Sequence, residues 1–293
     1  DPELQPRLAM RPTAPPPTPE IARAMMTRAL ELAARGLYTT TPNPRVGCVI
    51  ASGADVFGEG FHERAGEPHA EIRALNAAGE RARGATAYVT LEPCSHHGRT
   101  PPCADALWAA GVVRVVAAME DPNPLVAGKG LAVLRAAGIV TERGLLEDEA
   151  RELNIGFVSR MTRRRPWVRL KAAASLDGKT ALNNGLSQWI TGEQARRDGH
   201  AWRARSCAVL TGIGTVRDDD PQMTVRHVET TRQPLRVVVD SRLETPPSAR
   251  VLDGASNDAP VLIACAIEDP ARSAALRARA IRRTPTPNPA STR

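Results

Sequence analysis

His69, Glu71, Cys94 and Cys103 carry the residue types of a hydrolytic metal site. Imidazole nitrogen and thiolate sulfur both suit zinc, and a catalytic zinc takes three protein ligands with a fourth position open to water. A carboxylate two residues after the histidine can reach that position, so Glu71 is the candidate proton shuttle. Such a set removes an amino group from a nucleobase-like ring by hydrolysis. A structural zinc is the competing reading, because His96 or His97 could close the fourth position. Glu71 weighs against it, since a closed site has no use for the acid.

The flanking segments are those that could bring these side chains together. Glu67-Pro68 precedes His69, and 70–82 is helix-forming, which places His69 and Glu71 at a helix start. Residues 85–91 form an apolar run that predicts a buried strand delivering Cys94 just past its end. Pro101-Pro102 precedes Cys103 and a helical stretch over 104–110, and a helix N-terminus favours a thiolate.

The motifs then extend outward. Thr41-Pro42-Asn43-Pro44-Arg45-Val46-Gly47-Cys48, His62, Pro68-His69-Ala70-Glu71 and Leu91-Glu92-Pro93-Cys94 are followed by Arg99-Thr100-Pro101-Pro102-Cys103. Asp121-Pro122-Asn123-Pro124 and Gly128-Lys129-Gly130 come next. Together they resemble the bifunctional riboflavin-biosynthesis deaminase/reductase family. Most zinc deaminases place two residues between the cysteines; the wider spacing here is like that family's.

Lys171–Gly178, Ser187-Gln188-Trp189, Asp219-Asp220-Pro221 and Thr224-Val225-Arg226 resemble the same family's reductase half. The resemblance implies a cytidine-deaminase-like three-layer α/β domain followed by a dihydrofolate-reductase-like α/β domain. It implies Zn2+ and NADPH as cofactors. The implied reaction is deamination of 2,5-diamino-6-ribosylamino-4(3H)-pyrimidinone 5′-phosphate, then reduction of its ribosylamino group to ribitylamino.

By motif position, Asn43, His62, Arg99, Ser187, Arg203, Met223 and Arg226 would meet substrate. Ala173, Trp189, Thr215, Asp219 and Ser241 would meet the cofactor. Guanidinium forks suit a phosphate, which fits Arg203 and Arg226. Asn43 offers a donor and an acceptor to a pyrimidine edge; a turn role between two prolines is its alternative. Trp189 has the alternative of a core or interface aromatic.

A chain of 293 residues with 42% hydrophobic content predicts two ordinary domains. Alternating helix and strand signals predict α/β architecture. The expected division is a lead-in over 1–19, a deaminase domain over 20–162, a reductase domain over 166–270 and a low-complexity tail over 271–293. A first helix is expected over 20–35, with Ile21, Met25, Ala29 and Leu32 on one face. Further strands are expected over 46–50, 56–61, 112–118, 167–173, 207–210 and 235–240, and helices over 131–137 and 192–204.

No glycine-rich loop follows Leu262-Ile263, so the reductase domain is expected to be truncated and its step impaired. The proline-rich start lacks the apolar run of a secretion signal, and no stretch is apolar and long enough to span a membrane. A reducing cytoplasm is therefore expected, with Cys48, Cys207 and Cys265 as small buried hydrophobes. The net charge of +7 comes without an aromatic-rich basic motif, so the expected partner is a small phosphorylated pyrimidine rather than nucleic acid or membrane. A homo-oligomer is expected.

Overall fold

A computed structural model describes residues 16–95, 102–124, 126–256 and 258–279. Arg99, His96 and His97 lie outside the described residues, as do most of the lead-in and of the tail. The chain divides into two units at residues 169 and 170.

The first unit is built on a five-stranded sheet, whose inner strands are short, continuously buried runs. Strands β1 (Gly47–Ser52) and β2 (Asp55–Phe61) form a hairpin around Gly53. With β3 (Thr86–Val89), β4 (Arg114–Ala117) and β5 (Val140–Arg143) they give the order β2-β1-β3-β4-β5. The β1 pairings are antiparallel and the β3–β4–β5 pairings parallel.

Alternation along each strand splits the core between two faces. Cys48, Ile50, Ala87, Val89, Val115 and Ala117 face one layer, which contains Ala74 and Leu107 from α2 (Ala70–Ala78) and α3 (Cys103–Ala109). Leu131 and Leu134 of α4 (Lys129–Ala136) join them. Val49, Ala51, Tyr88 and Val116 face the other layer. There they meet Met26, Ala29 and Leu32 of α1 (Pro19–Ala34), and Ala150 of α5 (Glu147–Leu153). Both faces are thus covered, and the result is a three-layer α/β/α unit.

Helix α1 starts where Thr18 caps it and proline can stand at the first position. Its buried stripe contains Met26 rather than Met25 or Ile21, so the face is rotated by about one residue from the expected one. Small residues let α2 close on β2: a Cβ on Gly58 would strike the Ala74 carbonyl oxygen. Two helices that the sequence reading did not assign, α5 and α6 (Ile155–Arg163), complete the unit.

The second unit carries a parallel sheet of β6 (Ala208–Gly212), β7 (Leu235–Val239) and β8 (Val261–Ala264). Helices α7 (Glu193–Arg205), α8 (Ile213–Asp219) and α9 (Pro270–Arg279) accompany it. Val216, Val238, Val251, Leu252 and Leu276 pack its core.

Three expectations change here. Residues 167–173 form no strand: Val168 and Leu170 are exposed and the segment joins no ladder among the described residues. The segment from 271 opens as helix α9, held by the buried Leu276. Of the three cysteines expected inside, Cys48 is buried, while Cys207 and Cys265 are exposed at strand ends, beyond the cover of the helices.

Candidate active site

Three segments converge beyond the C-terminal end of β3, the central strand of the first sheet. His69 is the N-cap residue of α2, Cys94 follows β3, and Cys103 is the first residue of α3. His69 Nδ1 lies 3.3 Å from Cys103 Sγ and 3.7 Å from Cys94 Sγ. All three donor atoms lie within 4.8 Å of one another. Bonds of about 2.3 Å to sulfur and about 2.0 Å to nitrogen at a tetrahedral angle place N and S about 3.5 Å apart. The donor set and its spacing therefore fit zinc.

The protonation pattern points the same way. The hydrogen bond from Cys103 holds the Cys94 thiol at about 4, far below a free thiol. Cys103 is pushed up by its bond to Cys94 and by burial. A dication bound by both sulfurs would hold both as thiolates. Glu71 is 3% exposed in the first turn of α2. Burial raises its pKa, opposed by the charge of His69. A carboxyl that takes up and returns a proton near neutral pH needs that upward displacement.

A cavity of about 160 Å³ opens beside these residues, lined among others by Asn43, His62, His69, Glu71, Cys94 and Phe157. His62 is buried, and its Nδ1 lies 3.3 Å from the Pro68 carbonyl oxygen, which can only accept. The proton therefore sits on Nδ1, and Nε2 accepts from Asn43 Nδ2 at 3.1 Å. Burial lowers the His62 pKa, which suits this neutral form. The Asn43 amide is thereby oriented, with Oδ1 left for a ligand. His62 reaches the cavity chiefly through Asn43 and through an edge-on contact with the His69 ring.

Glu92, which the sequence reading assigned no role, is the strongest organiser nearby. Its buried carboxylate accepts four backbone N–H bonds: Gly130 at 2.8 Å and Leu131 at 3.1 Å on Oε1, Gly128 at 2.9 Å and Asp121 at 3.0 Å on Oε2. It serves the unpaired amides at the start of α4. A Cβ on Gly130 would collide with the Pro93 carbonyl oxygen, so glycine lets α4 approach the loop that carries Cys94.

In the second unit, the expected residues gather in part. Arg203 donates to the Thr224 carbonyl at 2.8 Å, and the Arg226 amide donates to His200 Nδ1 at 3.0 Å. Arg203 and Arg226 therefore share one neighbourhood. Met223 is 8% exposed and packs with the apolar core of this unit. Ser187 donates to Asp219 at 2.8 Å. Thr215 in α8 and Ser241 after β7 lie past the C-terminal ends of parallel strands, where α/β sheets bind ligands. Ala173 and Trp189 stand on the irregular segment before α7, and Trp189 stacks with Arg196 at 4.5 Å.

His200 gives this unit a pH dependence. Burial, then the charges of Arg203 and Arg226, hold its pKa at about 4. The unfolded chain takes the proton near 6.5, the folded chain only near 4. Stability is therefore full above about pH 7 and falls as the pH drops from about 6.5 towards 4. Thermal unfolding of the second unit at pH 5 and pH 7.5 should show this loss, and His200→Gln should flatten it. Equal pH slopes in the two proteins would refute the assignment.

Comparison with known proteins agrees with this anatomy. Residues 19–119 match the cytidine and deoxycytidylate deaminase zinc-binding region, and residues 166–281 match the RibD C-terminal domain. The riboflavin biosynthesis protein RibD of Escherichia coli is 57% identical over 239 residues, which are 78% of this chain and 65% of that protein. Its counterpart from Aquifex aeolicus is 50% identical, over 83% of this chain and 68% of the relative. The Acinetobacter baumannii RibD structure aligns with a TM-score of 0.81 at 51% identity, covering 88% of this chain and 72% of that one. A Thermotoga maritima deaminase/reductase aligns at 0.80 and 41%, covering 85% and 71%. The chain thus spans just under two thirds of the Escherichia coli relative. The architecture is a cytidine-deaminase-like domain followed by a dihydrofolate-reductase-like one, and the chain belongs to the RibD family of riboflavin-biosynthesis deaminase/reductases.

Proposed function

We propose that the first unit is a zinc-dependent deaminase of 2,5-diamino-6-ribosylamino-4(3H)-pyrimidinone 5′-phosphate, and that the second is an NADPH-dependent reductase of the deaminated product. The observation that carries the first half is a donor triangle of His69, Cys94 and Cys103 at a cavity that His69, Cys94 and the buried Glu71 line. Zinc held by these three residues supplies a water made acidic enough to lose its proton near neutral pH.

Glu71 would take one proton from the attacking water and pass it to the ring nitrogen; it would then take the remaining proton of the added hydroxyl and give it to the amino group, which leaves as ammonia. Asn43 Oδ1, fixed by His62, accepts from an N–H on the ring edge. Arg99 is retained as a candidate for the phosphate on resemblance alone. In the second unit, Arg203 and Arg226 supply the positive charge for the same phosphate. Ser187 joins them as a substrate residue, while Thr215, Asp219, Ser241, Ala173 and Trp189 are the candidate NADPH contacts. Met223 is carried as a substrate contact only through its backbone neighbourhood with Thr224. We take the chain to act as a homo-oligomer in the cytoplasm, which light scattering and fractionation test.

The two steps separate in assay. Ammonia release from the pyrimidinone should track zinc content and stop with chelator, whereas cytidine and guanine should be poor substrates. NADPH oxidation with the deaminated product tests the second unit independently. Ammonia release from cytidine at a rate comparable to that from the pyrimidinone would refute the substrate assignment.

A further inference from the structure

Asn154 stands between α5 and α6, 1% exposed and outside the cavity lining. Its Oδ1 accepts from the Arg45 amide at 2.8 Å, and its Nδ2 donates to the Arg45 carbonyl at 2.9 Å. Nδ2 also approaches the Ala150 carbonyl at 3.4 Å. One carboxamide thus pairs with both polar groups of one residue's backbone, as a neighbouring strand would. Only Asn or Gln offers a donor and an acceptor in that arrangement.

Arg45 follows directly on Asn43 and Pro44, which line the cavity, and precedes Val46, which lines it too. Helix α6 contributes Phe157 to the same wall, three residues after Asn154. The segment is tied at its ends by Thr40 to the Gly36 carbonyl and by Gly47 to the Thr90 hydroxyl. Between those ties, Asn154 fixes the register of the backbone that presents Asn43.

We propose that Asn154 is a positioning residue: its buried carboxamide holds the 41–46 loop so that Asn43 faces the ring-binding cavity. The proposal rests on the deaminase reading for its kinetic consequence, but not for its structural one. A residue that merely ends α5 would affect the whole unit, whereas a loop lock affects the loop and the grip on substrate.

The test uses the full zinc-loaded chain with Asn154→Ala and the isosteric Asn154→Asp, which leaves no cavity but sets an acceptor against the Arg45 carbonyl. Amide hydrogen exchange, zinc content, and KM and kcat for ammonia release are measured together. In Asn154→Ala the Arg45 amide should exchange about tenfold faster, the factor that one lost hydrogen bond is worth, with Val49 and Tyr88 unchanged; Asn154→Asp keeps an acceptor for that amide and loses only the bond to the Arg45 carbonyl. KM should rise about tenfold while kcat and zinc content stay near those of the parent.

Unchanged exchange at Arg45 would overturn the lock, as would equal acceleration throughout the sheet. Loss of kcat together with zinc would overturn it as well. If the parent chain itself releases no ammonia, the deaminase reading fails, and the exchange data alone decide whether Asn154 holds the loop.

Discussion

Glu71→Gln should keep zinc and lose ammonia release by about three orders of magnitude, within the roughly 10²–10⁴-fold that positioned acid–base catalysis supplies. The substitution preserves shape in a site that is 3% exposed, so it creates neither a void nor a clash. It removes the buried carboxylate beside His69, Cys94 and Cys103 that is positioned to carry a proton between water, ring nitrogen and leaving amine. His69, Cys94 and Cys103 are untouched, so metal analysis of the variant should match the parent. A Glu71→Gln protein with zinc and near-normal turnover would remove Glu71 from the mechanism. A variant without zinc would show that the carboxylate helps to hold the metal.

The clustering of His69, Cys94 and Cys103 was legible in the sequence because prolines mark the segments that carry them: Pro68 before α2, Pro93 before Cys94, Pro102 before α3. The three-layer fold followed from the resemblance, while the inner strands were legible as apolar runs, whose successive residues, such as Val49 and Ile50 or Val115 and Val116, pack on opposite covered faces. What stayed hidden depends on distance along the chain. Asn154 meets Arg45 across 109 residues, and Glu92 meets Leu131 across 39, with no periodic pattern joining either pair. The segment 167–173 shows the reverse error. Its apolar residues suggested a strand, but a strand exists only where a neighbour completes its hydrogen bonds, and propensity alone does not supply one.

Glu92→Gln should be the most damaging substitution for the stability of the first unit. Four backbone donors converge on an acceptor-only carboxylate. Glutamine can serve one pair of them, while its amide N–H groups face the other pair. Two charge-assisted bonds are lost and two buried amides are left opposed, a cost of about 3–5 kcal/mol. For a unit of this size, that lowers the melting temperature on the order of 10 °C. The damage should reach the metal, because Cys94 is two residues from Glu92 and Pro93 packs directly on Gly130. Outer partners of this kind typically change metal affinity by about 10–100-fold, so zinc should pass faster to a competing chelator. Melting within about 1 °C of the parent, with unchanged zinc retention, would show that the four bonds do not carry the loop. A large fall in melting temperature with zinc affinity intact would separate the two roles: Glu92 would then anchor α4 without placing Cys94.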